Sequence, residues 1–342
     1  MRLDREAILS GAGDAADMLV AADACLVAGD RELAASALDR AHALAPDDEA
    51  IARQRSAILD ELALDVRGLT FRYVPAGTFL MGSDHGDPDE RPVHARRLDA
   101  FWITDVPVSW RAFNELAGFT LPPDEAPDGD ALDRDRSFHF HERTKIRLDY
   151  CADGDEPAGN QYGHTDPAAF GTKPMVAVAP ADAAELARML DDADARFGLP
   201  SEAEWEKAAR GGLEGAFYAW GSASPTTTLA DFGQTEDYRL GDPRRYAPNG
   251  YGLHGMCGSI AEWTADRYDA LAYHRAASGD LAPTEAAGET HPYVIRGGSF
   301  LDCARSITVS FRATHFDPGW RVEERLRFAT PTIGFRLVRR RR

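Results

Sequence analysis

One stretch constrains this chain more than any other: Leu199-Pro200-Ser201-Glu202-Ala203-Glu204-Trp205-Glu206-Lys207-Ala208-Ala209-Arg210-Gly211-Gly212. Ser201 stands at a helix start with Glu204 three residues on. This is a capping box, in which each side chain serves a backbone N–H that the first helical turn leaves without a partner. Trp205, Ala208 and Ala209 supply the apolar stripe, and Gly211-Gly212 stops the helix. Glu202 and Glu206, one turn apart, read as a solvated face.

Other segments follow in fixed order: Asn249-Gly250-Tyr251-Gly252-Leu253, Gly258-Ser259-Ile260-Ala261-Glu262-Trp263, Arg296-Gly297-Gly298-Ser299-Phe300 and Gly334-Phe335-Arg336. Val74-Pro75-Ala76-Gly77-Thr78-Phe79-Leu80-Met81-Gly82-Ser83 precedes them all. Together these motifs resemble the formylglycine-generating enzyme (sulfatase-modifying factor) family, from about Leu69 to Leu337. The resemblance implies an α+β fold, a variant of the C-type lectin fold with little regular secondary structure and long ordered loops. The expected organisation is a helical, tetratricopeptide-like segment over 1–66 and a sulfatase-modifying-factor-like domain over 67–342, with an insertion at about 120–172. Fold does not fix activity, which lives in particular residues.

The balance of 56 acidic against 38 basic residues gives a formal charge of −18, which argues against nucleic acid and anionic membranes as partners. The chain has no run of about 18 apolar residues and its first residues are charged, so a cytoplasmic location is the expectation. The four cysteines, Cys25, Cys151, Cys257 and Cys303, are far apart and read as reduced, mostly buried thiols. Arg339-Arg340-Arg341-Arg342 reads as a solvated end.

Residues 4 to 64 carry helical periodicity, with Ala34 to Pro46 resembling the second helix of a tetratricopeptide unit. One such unit cannot bury its own face, so it packs on the main domain or mediates contact with a protein partner. Phe71–Val74, Thr78–Met81, Val93–Leu98 and Phe101–Ile103 read as short strands. Trp110 to Leu116 reads as a short helix, and Asp182 to Phe197 as an amphipathic one.

The resemblance also implies where chemistry should lie. Family enzymes hold copper(I) with two thiolates, about five residues apart, just after the Gly-Gly-Ser-aromatic turn. The matching positions here are Asp302 and Ile307, with Cys303 one residue out of register. A two-thiolate copper site is therefore not available from this segment, because copper(I) selects soft sulfur ligands. The expectation for Cys303 is a small buried hydrophobe. Structural calcium is implied at Gly258, Ile260 and Glu262, and at Asp231, Phe232 and Asp237. Gly255 stands where the family usually places Asn, removing one of the six to eight oxygens that calcium wants.

Two functions of different class stay open. In the first, the chain is a non-copper, non-catalytic member that binds a protein or small-molecule ligand. Its loops after Ser299 then form the binding face, as in variable binding proteins of this fold, with Asp302, Arg305, Arg312, His315, Phe316, Trp320 and Arg321 as contacts. In the alternative, His139, His141 and His164 of the insertion hold iron or another transition metal in an oxidoreductase. Against that stands the reading of these histidines as solvated side chains in an acidic loop.

Overall fold

The computed structural model describes residues 4–117, 171–176, 178–234, 240–279, 292–315 and 332–342. Four helices open the chain: α1 (Arg5–Ser10), α2 (Ala15–Val27), α3 (Arg31–Leu44) and α4 (Glu49–Glu61). Each begins on an aspartate (Asp4, Asp14, Asp30 and Asp48) whose carboxylate accepts a first-turn N–H. Their apolar faces do not stand alone. Met18, Leu38 and Ile58 belong to the same buried cluster as Phe71, Trp205 and Trp263. The helices thus pack on the main domain, one of the two outcomes expected of an isolated repeat.

Arg55 fastens this seam. It is 3% exposed and donates from Nε to Asp39 (2.8 Å), from Nη1 to the Gly250 carbonyl (2.8 Å) and from Nη2 to the Gly211 carbonyl (2.9 Å).

The main domain holds three sheets among the described residues. The largest runs in the order β1 (Leu64–Val66), β2 (Leu69–Val74), β5 (Phe101–Thr104), β11 (Val338–Arg341), β6 (Ala195–Gly198). A second runs β10 (Ile333–Gly334), β7 (Ala261–Arg267), β8 (Tyr293–Arg296), β9 (Ala313–His315), and a ribbon pairs β3 (Gly77–Met81) with β4 (His94–Leu98). Four further α-helices, α5 (Trp110–Ala117), α6 (Pro180–Arg188), α7 (Glu202–Arg210) and α8 (Ala272–Ala277), and two 3-10 turns, Pro88–Glu90 and Pro243–Arg245, complete the described elements.

Two expectations are corrected here. Asp182 to Phe197 is not one helix: α6 ends at Arg188 and the chain re-emerges as β6. Asp192 Oδ1 accepts the N–H groups of Asp194 and Ala195 (2.8 Å each), and Asp191 Oδ1 accepts from Phe197, so these carboxylates turn the backbone out of the helix. Nor is the arginine run only a solvated end, although Arg341 and Arg342 are exposed. It forms most of β11, between β5 and β6, because the acidic chain supplies a partner to each side chain that reaches one. Arg340 holds Glu204 at 2.5 Å, Arg341 holds Glu32 and Arg342 approaches Asp191 at 3.5 Å.

α7 forms as its sequence dictates. Ser201 accepts from the Glu204 N–H, Glu204 accepts in return, and Gly211 closes the helix at φ 59°. Yet every residue from Glu202 to Arg210 is buried, so Glu202 and Glu206 are no solvated face. Arg312 grips Glu202 at 2.6 Å, while Arg296 and Arg210 grip Glu206 at 2.5 and 2.6 Å.

Candidate functional site

The loop from Arg296 to Ser310 leaves β8 through two glycines, at φ 90° for Gly297 and 65° for Gly298. A Cβ on Gly298 would stand 2.6 Å from the Ser306 carbonyl oxygen, so the loop can fold back only over a glycine there. Ser299 follows, and its N–H and hydroxyl both donate to Asp302 Oδ2 at 2.7 Å. That pair of bonds fixes the direction in which the next residues leave the turn.

The consequence is a correction for Cys303, which is exposed rather than buried. The Ser306 hydroxyl lies 3.6 Å from its sulfur. That hydroxyl, together with the backbone N–H groups of Ser306 and Arg305, holds the thiol below its ordinary pKa. Ile307, by contrast, is fully buried. The two positions that match the copper thiolates thus hold a carboxylate locked into a turn and a core aliphatic side chain. Among the described residues, no second thiol is bonded to or paired with Cys303, and the donor set does not fit copper(I).

Leu301, Cys303 and Arg305 face solvent on this loop. The loop Ser83–Glu90 reaches the same surface: Asp87 pairs with Arg305, and His85 lies 5.7 Å from the Phe217 ring. The Tyr218 hydroxyl donates to the Ala304 carbonyl at 3.2 Å, and the Val309 N–H to the Phe217 carbonyl at 2.9 Å. Of the expected contacts, Asp302 and Arg305 lie here. Arg312 does not: it is 6% exposed, bonded to Glu202 and to the Asp89 and Asp269 carbonyls, and stacked on Tyr268 and Tyr273. His315 is half-buried at the end of β9, its ring edge-on to Trp263. Phe316, Trp320 and Arg321 lie outside the described residues, as do His139, His141 and His164.

Of the three carboxylates expected to bind calcium, the two among the described residues, Glu262 and Asp231, already hold a guanidinium. Glu262, wholly buried, accepts from Arg336 Nε at 2.9 and 3.1 Å and from Trp205 Nε1 at 2.7 Å. Burial raises its pKa in spite of Arg336. Asp231 accepts from Arg245 at 2.5 Å and from Gln234, and burial likewise outweighs both in raising its pKa. Gly258 packs against the Asp231 carbonyl, where a Cβ would come within 2.2 Å, and Ile260 is fully buried. Phe232 packs on the main core, and Asp237 lies outside the described residues. Calcium wants six to eight oxygens, and among the described residues no group of three His, Cys, Asp or Glu side chains that could hold a metal gathers at either carboxylate. The described residues do not fit it.

Sequence reasoning missed the partners Arg210, Arg245, Arg296 and Arg336. The available signal was that a cationic side chain in or beside a glycine-rich turn of an acidic chain has a carboxylate to find.

Residues 67–341 match the sulfatase-modifying factor enzyme 1-like domain. The formylglycine-generating enzyme of Mycobacterium tuberculosis is 31% identical over 300 residues, covering 78% of this chain and 96% of that protein. The hercynine oxygenase of Mycolicibacterium smegmatis is 31% identical over 274 residues, 70% of this chain but only 56% of the oxygenase. Among solved structures, Treponema denticola variable protein 1 shares the fold, with a TM-score of 0.55 and 19% identity over 81% of this chain and 97% of that one.

Proposed function

The chain belongs to the sulfatase-modifying factor enzyme 1-like family, and from that premise we propose that it is a binding module without copper-dependent formylglycine generation. Its ligand or protein partner docks on the surface of Leu301, Cys303 and Arg305. One observation carries this reading. The positions that would hold the copper thiolates are Asp302, tied to Ser299, and Ile307, sealed in the core.

The surrounding geometry supports a recognition role. A rigid scaffold, braced by the buried ion pairs of α7, holds a short loop with one apolar, one thiol and one guanidinium group outward. Loops so held carry binding because their exposed side chains can vary without disturbing the core.

The test has two arms. A peptide bearing a sulfatase cysteine motif is incubated with the protein and copper, and the products are weighed by mass spectrometry. No aldehyde is expected, and its appearance overturns the proposal. In the second arm, a partner retained by the wild-type chain should be lost by Leu301→Asp at unchanged melting temperature. Retention by that variant removes the loop from the reading.

The likeness to the hercynine oxygenase favours a second reading, an oxidoreductase whose metal is held by His139, His141 and His164. Stoichiometric iron or another transition metal in the purified protein, lost on replacing these histidines, would support it over the binding module.

A further inference from the structure

Between the segments Ala219–Asp231 and Tyr246–Ser259 lies an open pocket of about 490 Å³, its mouth included. Asp231, 5% exposed, lies at its base, and Trp220 and Tyr246 line its walls. Trp220 is braced from behind by Tyr218, stacked at 4.9 Å and 5° between planes.

Ser259 makes this pocket unusual. It is 2% exposed and its Oγ, buried with it, has no hydrogen-bond partner among the described residues. Its backbone sits at φ 69°, a left-handed conformation that a non-glycine residue adopts at a cost of order 1 kcal/mol or more. The Ser259 N–H donates to the Asp231 carbonyl at 2.8 Å, so the strained residue is held beside the buried carboxylate. A buried orphan hydroxyl at a strained position, lining a pocket, calls for an explanation that packing does not supply.

Arg245, which does not itself line the pocket, shows what kind of group Asp231 and Tyr246 hold together. Its side chain is 43% exposed, and its guanidinium meets Asp231 Oδ2 at 2.5 Å and lies 4.9 Å from the Tyr246 ring centroid, while Gln234 donates to Oδ1. Anionic floor, aromatic wall and a delocalised cation between them form a cation–π arrangement.

We propose that this pocket binds a small organic cation bearing an ammonium or guanidinium group. Asp231 is its counter-ion, Trp220 and Tyr246 are its aromatic walls, and Ser259 Oγ accepts one of its N–H bonds. Arg245 is a tethered competitor for Asp231 that the free cation displaces. A metal ion is a poorer match, because Asp231 is the single carboxylate of the lining and calcium needs six to eight oxygens. No group of three or more His, Cys, Asp or Glu side chains that could hold a metal occurs among the described residues. The proposal is independent of partner binding at Leu301–Arg305 and stands or falls without it.

The test titrates the isotopically labelled full chain with methylguanidinium chloride and ethylammonium chloride. It follows the Trp220 indole N–H signal, assigned through Trp220→Phe, with sodium chloride and calcium chloride as controls. A saturable shift with the organic cations is expected. Arg245→Ala, which removes the tethered competitor, should tighten it about tenfold, and Asp231→Asn should abolish it. If Asp231→Asn fails to fold, Ser259→Ala decides, with an expected loss of affinity of several-fold. The proposal is overturned by an equal response to sodium chloride, by a response to calcium alone, or by the absence of saturable shifts in wild type and Arg245→Ala. Binding unaltered in Asp231→Asn or Ser259→Ala overturns it as well.

Discussion

Glu206 and Arg296, 90 residues apart in sequence, meet at 2.5 Å with both side chains wholly buried. Glu206 also accepts from Arg210, from the Gly82 N–H at 2.7 Å and from the Tyr273 hydroxyl at 3.1 Å. Burial pushes its carboxyl pKa up, but Arg210 and Arg296 together pull it below the ordinary value. Arg296 also donates from Nη1 and Nη2 to the Val309, Ser310 and Phe311 carbonyls, while its buried Nε has no hydrogen-bond partner among the described residues. The pair therefore ties α7 to the far side of the loop that carries Cys303.

Arg296→Met should cost about 3–5 kcal/mol, since it removes one of the two guanidinium partners of buried Glu206 and leaves three carbonyls without their donor. Glu206→Gln alone should also be destabilising, because it takes the shared carboxylate from both Arg296 and Arg210. Denaturant unfolding of both variants checks this. A single variant within about 1 kcal/mol of wild type would show the pair to be dispensable.

Lys207 gives an alkaline signature. Its ammonium donates to the Pro75 and Gly77 carbonyls at 2.5 and 3.2 Å, and burial pushes its pKa down from 10.5 to about 8. Asp39 opposes that shift and Arg55 adds to it. Below about pH 8 the folded chain bears the full cost of the buried charge. Between about 8 and 10.5 the unfolded chain binds more protons, so stability rises with pH. Relative to Lys207→Met, the wild type should gain up to about 3 kcal/mol across that window. Parallel unfolding curves for the two proteins at all pH values would refute it.

What could be read in advance was local. The Ser201–Glu204 box, the glycine stop and the short strands near Phe71 and Phe101 follow from rules that span a few residues, and they formed as expected. The fates of Glu202 and the arginine tail could not be read so. Their partners, Arg312 for Glu202 and Glu204 for Arg340, stand 110 and 136 residues away. Cys303 was misread for a different reason: its exposure depends on the turn that Asp302 and Ser299 lock, a side-chain geometry that strand alternation does not contain.

Chelation should leave the protein unmoved. Asp231 and Glu262 are held by Arg245 and Arg336, so the folded chain does not draw on calcium for their charge balance. The melting temperature should agree with and without EDTA, and again on adding calcium. A rise of several degrees with calcium would mean that the ion binds the folded state and that the guanidinium pairs give way to it.

Cys303 should be the fastest of the described cysteines to alkylate. The thiolate is the reacting form, and it is favoured at Cys303 by the Ser306 hydroxyl and by the N–H groups of Ser306 and Arg305. Cys257 is 3% exposed and its thiol is pushed up to about 12 by burial, while Cys25 is half-buried and raised for the same reason. Iodoacetamide labelling across pH, read peptide by peptide in a mass spectrometer, separates these sites from one another and from Cys151. The Cys303 rate should reach half its maximum below the midpoint of a free cysteine peptide. Ser306→Ala should move that midpoint upward, since it removes the largest stabilising contact and leaves the backbone donors in place. Leaving the midpoint where it was would assign the effect to the turn's N–H groups alone. A midpoint at or above that of the free peptide would show that these donors do not stabilise the thiolate.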